Sequence, residues 1–572
     1  MNTQRLSPFH RELLHYLKRE SEEKTIDEGY ILESDPDLQE FEKLLEGAFE
    51  QEGELPLTEI LEHYQHLFEK RGPLHIEKKL LGAFSKEEMQ RLGLPRIYRG
   101  LPRLYRADFP AESRIKKSFT HLPSLLSQML EKAISKLYLS ALPRANGKLV
   151  LFTWIMADGS GDFSMSKEVL EMLERAFPET AIEWIALVPK GYVHAASIPN
   201  PIFYEEEGVI DEKTVQKMKE ADLVLQFPTY YPDTEKLVQR IGHTRFFSLG
   251  EYGFSESKHF DPRSKNRAMG LHFLEKGILL PSPKKGELES PLLKKWMCKD
   301  NRFALCYLNS VPGLIVYLHA LLKSLEEDTL PIDLCMPDLS YLIAYIQERG
   351  KEPLLEENFG VGSIDIYFGG KVHSHKLAKK GKKLRILSPP SLSPSDFQTL
   401  LSQSTDLIAV RGNHSFSEAI LLGKPFFYDG RHHARYFLKD LLALAENRLK
   451  STPNALTCIR SIFKTYLHNL PAQEGTWVDE TYFQEKEPLL DIARAFGSTL
   501  KQPDTLLGFQ KLSQIIQEEH SLAEFLIPYI QRSFAHRKHP ELAAFEKRQL
   551  DLFISGNLTA TDLLGILEER LR

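Results

Sequence analysis

The chain has little that would tie it to an oxidising compartment, a nucleic acid or a bilayer. Its four cysteines, Cys298, Cys306, Cys335 and Cys458, are scattered and form no Cys-x-x-Cys pair. That spacing argues against a disulfide framework and fits a reducing cytoplasm. Charge of one sign is not in excess: 73 basic against 79 acidic residues leave a formal charge of −6, so nothing electrostatic favours a nucleic-acid partner. No long apolar run is present. The most apolar stretch, Phe303 to Leu322, is broken by Asn309, Ser310, Pro312, Gly313 and His319; it reads as a strand, a turn and a helix start, not a membrane span. The first twenty residues are charged throughout and hold no apolar signal core. No fixed-period repeat and no low-complexity tract occurs. The chain also lacks the Gly-x-Gly-x-x-Gly fingerprint of a dinucleotide site.

What is there is ample core for independent folding: 572 residues, 42% of them hydrophobic, enough for roughly three or four domains at ~150 residues each. Residues 1–145 read as a helical extension, with Leu38, Phe41, Leu44, Leu45 and Phe49 at helical spacing, a Pro- and Arg-rich loop over 94–110 and another helix over 118–142. From Lys148 the texture changes. Apolar strands are expected at 149–156, 182–188, 222–227 and 245–249, with helices between them at 166–177 and 211–221. Strands alternating with helices mean parallel βαβ units, here one α/β domain over 148–295. A polar connector, 285–299, leads to a second set over 300–450. Its strands are expected at 302–308, 364–368 and 384–387, with a helix at 312–326 and another at 394–402 capped by Ser393. Residues 455–572 read as helical again, with Thr561 as a final N-cap.

The most informative stretch is Asp406 to Gly430. It reads as a buried strand at 407–410, a polar loop from Arg411 to Ser415, a helix from Phe416 to about Leu422 stopped by Gly423, and a second strand at 425–428. Ligands of such units bind at the carboxyl ends of parallel strands. The N–H groups and positive dipole end of the helix, beside Ser415 and Ser417, suit a phosphate. In the first α/β domain the loop Ala157–Asp158–Gly159–Ser160–Gly161–Asp162–Phe163 ends the first strand. Its glycines allow close backbone approach to a ligand. Asp158 and Asp162 are candidates for a general base, or else for a turn stabiliser and a helix cap. Glu418 faces either a ribose or solvent, and Glu251, after Leu249–Gly250, is another candidate carboxylate. The pairs His373–Ser374–His375 and His432–His433 have no acidic or cysteine partner at ligand spacing; the first, beside the basic run 376–385, reads as a solvated loop, and no metal site is expected.

Two α/β domains, each with a polar glycine loop at a strand end, suggest a GT-B arrangement of Rossmann-like domains facing a cleft, acceptor on the first and nucleotide sugar on the second. Here the sequence resembles a known family, the bacterial protein-arginine rhamnosyltransferases that modify elongation factor P, discontinuously over about 150–445. Asp158–Gly159–Ser160–Gly161–Asp162 is similar to the family's D-N-F-G-D-x-G loop, keeping both aspartates. Leu305–Cys306–Tyr307 looks like a family strand ending F-C-Y. Asp406, Arg411–Gly412, Ser415–Phe416, Ala419, Gly423 and Pro425–Phe426 match its D-x-x-F-V-R-G-E-D-S-F-x-x-A-x-x-x-G-x-P-F stretch. The family's Glu and Asp after Arg-Gly are Asn413 and His414 here, and its I-Y-P-Q is replaced by Gly430–Arg431–His432–His433. The resemblance implies a glycosyltransferase using a nucleotide-diphosphate sugar, dTDP-linked in the family, as donor substrate with no separate cofactor, and a protein arginine as acceptor. It places Asp162 and Asp158 on the acceptor side, and Tyr307, Arg411, Gly412 and Ser415 around the nucleotide sugar; at the departures Asn413 can still hydrogen-bond a ribose or pyrophosphate, His414 and Arg431 are candidate diphosphate contacts, and Glu418 is a candidate ribose contact. Helix dipole, Arg411 and loop N–H groups can neutralise a leaving diphosphate without a metal. Two rival readings are a nucleotide-sugar epimerase of the same fold and a catalytically inactive binding or scaffold protein.

Overall fold

The computed structural model describes residues 122–155, 160–192, 195–199, 201–204, 210–228, 231, 233–242, 245–252, 266–271, 275–281, 286–349, 359–378, 380–405, 407–430, 434–469, 488–554, 558 and 560–572. The chain forms two compact units: one holds the described residues up to Lys276 and those from Leu522 onward, the other the described residues from Gly277 to Ser521. The expected loop at 94–110 and the helical pattern ahead of it lie outside the described residues.

The first unit opens with helix α1 (Leu122–Ala141) and strand β1 (Lys148–Trp154). There follow α2 (Ser160–Ala176), β2 (Ala181–Pro189), β3 (Ile202–Tyr204), α3 (Glu212–Glu220), β4 (Leu223–Gln226), α4 (Thr234–Ile241), β5 (Phe246–Gly250) and β6 (Asn266–Ala268). The strands form one parallel sheet in the order β3-β2-β1-β4-β5-β6. A parallel sheet is covered on both faces, so its strands are buried without alternation. Leu149 to Phe152 are all buried, and Val150, Phe152, Ile185, Leu187 and Val224 share a core with Val215 and Met218 of α3 and Leu237 and Ile241 of α4. Asp211 starts α3 by accepting from the Thr214 N–H at 2.6 Å, an N-cap bond.

The second unit contains α5 (Pro291–Trp296), β7 (Arg302–Leu305), α6 (Val311–Ser324), β8 (Ile332–Cys335), α7 (Ser340–Arg349), β9 (Val361–Phe368), β10 (Lys371–Lys376), β11 (Lys382–Ser388), α8 (Pro394–Gln403), β12 (Ile408–Val410), α9 (Asn413–Leu421) and β13 (Phe426–Tyr428). Helices α10 (Arg435–Arg448), α11 (Pro453–His468), α12 (Leu489–Leu500) and α13 (Pro503–Glu519) complete it. Five strands run β10-β9-β11-β8-β7, and the pair β12-β13 joins them through a Cys306–Ala409 bridge and the bond from Tyr307 N–H to Ala409 C=O. All these pairings are parallel except β9 with β10. From Leu522 the chain adds α14 (Ala523–Lys538), α15 (Pro540–Ile554) and α16 (Ala560–Leu571) to the first unit.

Several boundaries differ from those the sequence suggests. Helix α2 begins at Ser160, six residues before the expected start, and α9 begins at Asn413, three residues early. Ser, Gly and Asn are poor interior helix formers but good openers, and the apolar period begins only after them. Thr561 lies inside α16 and does not precede it. Strand β8 and helix α7 fall where no element was expected. Residues 373–375 are not in a loop but in β10: Gly369 and Gly370, at φ 56° and 76°, make a two-residue turn that folds Lys371–Lys376 back on β9.

In the first unit α1 is tied to the far strand of the sheet by buried charge. Glu131 accepts from Arg267 Nε and a second guanidinium nitrogen, both at 3.1 Å, and Lys276 Nζ lies 3.1 Å from it. Burial pushes the Glu131 carboxyl up, but Arg267 and Lys276 outweigh it and hold the group at about 2. Removing the carboxylate takes from two buried cations the charge they both face. Glu131→Ala should therefore lower unfolding free energy in urea titrations by about 3–5 kcal/mol; a loss below about 1 kcal/mol would mean the cluster is not structural.

Candidate functional site

In both units the strand order reverses direction beside the first strand. In the first unit this switch lies between β1 and β4, in the second between β7 and β12. Loops leaving adjacent strands there go to opposite faces, which opens a crevice at the carboxyl ends. The sequence candidates cluster at these two places.

At the first switch point β1 runs through Ile155 toward α2. Asp158 lies outside the described residues. Asp162 sits in the first turn of α2, 6% exposed. Two phenols belong to the same surroundings. Burial, and after it the charge of Asp162, pushes the Tyr192 hydroxyl up to about 12. Tyr204 is raised by burial, with a smaller contribution from Asp162, and donates to the Ile155 carbonyl at 2.7 Å. The start of α2 is fixed from beneath: Thr153 Oγ1 donates to Ser166 Oγ at 3.0 Å and accepts from Trp184 Nε1 at 3.0 Å, while Phe163 stacks on Trp184. Glu251 follows β5 and is half-buried.

At the second switch point two helices point their N-termini toward the strand ends. That of α6 is already filled. Asp429, directly after β13 and 2% exposed, accepts from Asn309 N–H at 2.6 Å, from Ser310 Oγ at 2.9 Å and from Asn469 Nδ2 at 3.1 Å. The Ser310 hydroxyl in turn accepts from Gly313 N–H at 3.0 Å, and Pro312 has no N–H to offer. A side chain at Gly313 would stand 2.6 Å from the Asp429 carboxylate, so only glycine admits this contact.

Helix α9 is different. Its N-cap is Gly412, at φ 77° and ψ 161°, with no side chain to cap the first turn and no acidic residue in it. The N–H groups of Asn413, His414 and Ser415 precede the intrahelical ladder, whose first rung runs from Phe416 N–H to Gly412 C=O at 3.1 Å. Arg411 stands beside them. It donates to the Leu308 carbonyl at 2.8 Å, lies with its guanidinium 4.3 Å from the centre of the Tyr307 ring, and is 3.7 Å from Asp338. Tyr307 meets Phe397 edge to face at 5.3 Å.

The remaining candidates are placed as follows. The Asn413 side chain turns inward, accepting from the Tyr428 hydroxyl at 3.3 Å. Glu418 faces neither solvent nor open space; it is 8% exposed and accepts from Gln398 at 2.7 Å. His414 Nδ1 is 3.6 Å from Glu418. Ser417 donates to the Asn413 carbonyl at 3.1 Å, within the helix and not at its tip. Arg431 lies outside the described residues. The sequence reading passed over Ser310, Asn309, Asp338, Gln398, Tyr192 and Tyr204; a carboxylate directly after the buried run Phe426–Tyr428 was the available signal for Asp429. Among the described residues no group of three or more His, Cys, Asp or Glu is placed to hold a metal ion, and no helix is long and apolar enough to cross a membrane.

No protein-family model matches the sequence, and no curated protein matches it. Among solved structures the chain is similar to an alpha-glucosyltransferase in complex with UDP and a 13-mer DNA, with TM-score 0.32 and 10% identity over 65% of this chain and 100% of that one. It is similar also to Arabidopsis thaliana UGT89C1 complexed with quercetin, with TM-score 0.37 and 9% identity over 68% of this chain and 100% of that one. A third is the structure reported for EarP-mediated arginine glycosylation of translation elongation factor EF-P, with TM-score 0.26 and 15% identity over 65% of this chain and 100% of that one. Scores this low carry no functional argument; the two Rossmann-like sheets are read from the chain's own strand orders.

The Asp429 carboxyl supplies a test of the second site. Burial raises it to about 6 despite the hydrogen bonds that oppose the shift. A carboxyl raised in the folded state contributes stability below its ordinary value of 3.8 and loses it as pH climbs toward 6. Asp429→Asn, neutral throughout, lacks that loss. Relative to wild type the variant should gain on the order of 2–3 kcal/mol between pH 4 and pH 7. Parallel stability curves across that range would show that Asp429 does not titrate there.

Proposed function

We propose that this chain is a glycosyltransferase that moves a sugar from a nucleotide-diphosphate sugar to an acceptor. The observation that carries the reading is the pair of helix N-termini at the second switch point. The α6 terminus is closed by Asp429, Ser310 and Pro312, while the α9 terminus follows an uncapped glycine with a guanidinium beside it. Three successive N–H groups, the helix dipole and Arg411 form a receptor for an anion. A nucleoside diphosphate is the anion that also suits the neighbouring aromatic pair Tyr307 and Phe397, one face of Tyr307 being covered by Arg411. As the sugar–phosphate bond breaks, negative charge builds on the departing diphosphate, and fixed donors aimed there lower the barrier.

The first unit is assigned the acceptor. Asp162 takes the proton from the attacking nucleophile or, for a guanidinium, holds and orients it. The phenol rings of Tyr192 and Tyr204 suit a cationic group next to a carboxylate. The resemblance at Asp162 and at Arg411–Gly412 supports a protein arginine as acceptor and a dTDP-linked sugar as donor, whereas Asn413 and His414 in place of two acids leave the donor's base and sugar to experiment.

Thermal-shift screening against UDP, TDP, GDP, CMP and their sugars should reveal one preferred donor. Arg411→Ala should weaken that nucleotide by about 1–3 kcal/mol, as loss of a charge-assisted hydrogen bond does; unchanged affinity in a folded variant would remove Arg411 from the site. Asp162→Asn should leave nucleotide affinity nearly intact and reduce transfer by roughly 10²–10⁴-fold. Wild-type turnover in that variant would reduce Asp162 to a helix-start residue, and release of an isomerised sugar nucleotide without acceptor would make the chain an epimerase.

A further inference from the structure

Strand β10 has a surface unlike any other in the described sheets. It is the terminal strand of its sheet, and all six of its residues are exposed. Among the described residues nothing pairs with its outer edge. The hairpin geometry says which backbone groups face outward. Leu377 N–H bonds to Gly362 C=O at 2.9 Å, and the register pairs Lys371 with Phe368 across the two-glycine turn. Residues 371, 373 and 375 thus share the parity of the bonded pairs, so Val372, Ser374 and Lys376 present their N–H and C=O groups to the outside. None of its side chains is acidic: Lys371, His373, His375 and Lys376 are basic, with Lys380 beyond, Ser374 is polar, and Val372, opposite Tyr367, is 52% exposed. Neither Lys371 nor Lys376 makes an ion pair with a described residue.

We propose that β10 is a docking strand, adding an extended, acidic segment of a partner polypeptide to the edge of the second unit's sheet. The backbone row supplies main-chain hydrogen bonds, the mode by which edge strands take up peptides. Lys371, His373 and His375 lie along one face of the strand and select acidic residues at alternate positions of the partner. Val372, on the other face, meets an apolar residue between them. Lysines on an edge also deter random pairing of apolar strands, and the same charges make an acidic strand the one that is accepted. A nucleic acid could use the charges but not the row of backbone groups.

The test uses the full chain and fluorescence anisotropy. The probes are a labelled (Glu-Val)4 peptide, a (Glu-Pro)4 peptide of equal charge that cannot form a strand, and an oligouridylate of similar length. The Glu-Val peptide should bind at least about tenfold tighter than Glu-Pro. Ser374→Pro, which deletes an outward N–H at a position where an edge strand tolerates proline, should weaken it at least about tenfold, as should Lys371→Glu with Lys376→Glu. Ser374→Ala should not. Equal binding of the two peptides, undiminished binding by Ser374→Pro, or no binding at all would overturn the proposal. Tighter binding of the oligouridylate, lost on charge reversal but not on Ser374→Pro, would overturn it in favour of a nucleic-acid surface. If Ser374→Pro fails to fold, the Glu-Val against Glu-Pro comparison on the wild-type chain decides alone.

Discussion

A carboxylate that is 2% exposed has to find its donors inside the protein. Asp429 finds them in a loop more than a hundred residues earlier and at the end of α11, through Asn309, Ser310 and Asn469. The arrangement locks the exit of β13 to the entry of α6, and it does so with the groups that would otherwise make α6 an anion site. The cost shows in the raised carboxyl of Asp429. The two helix N-termini at the strand ends therefore differ: one is held by a buried carboxylate, and the other begins on a bare glycine with Arg411 beside it.

The start of α9 depends on a second constraint. Gly412 holds a backbone conformation that residues with a Cβ adopt only with strain. This turn takes the chain from β12 into α9 within two residues, bringing the Asn413–Ser415 N–H groups directly onto the strand end. Arg411 then has nowhere to go but across the Tyr307 ring toward Leu308 and Asp338. That contact rigidifies the loop and keeps a cation beside the helix tip. The first unit repeats the logic with the opposite sign: its switch point presents the carboxylate of Asp162 with two phenols raised by burial.

Both sheets were legible in the sequence because parallel strands are buried on both faces and appear as unbroken apolar runs, as in Leu149 to Phe152 and Phe426 to Tyr428. What was not legible has local causes. Strand β8 carries Asp333 in its middle, and the aspartate is tolerated there because Arg385 pairs with it at 2.9 Å from the neighbouring strand, a contact that no local pattern shows. Strand β10 is polar except for Val372, so it lacks the alternation that marks a strand; only the two glycines announce it. The place of the Arg411–Ser415 segment, between a buried strand and a helix, was legible in the sequence. The direction of its side chains was not, since Asn413 is turned inward by Tyr428 and Glu418 is held by Gln398. The starts of α2 and α9 were read late because their first residues carry no apolar period. The contacts of Asp429 span 120 and 40 residues, and sequence reading reaches such pairs only through the fold.

The claim that matters most is that the α9 terminus, and not the α6 terminus, receives the anion. Backbone amide NMR on the deuterated chain, titrated with nucleoside diphosphates, observes it directly. The account predicts saturable shifts of the Gly412, Asn413, His414 and Ser415 amides, with the Gly313 amide unmoved. Shifts centred on Val311 and Gly313, with Gly412 to Ser415 unchanged, would contradict it.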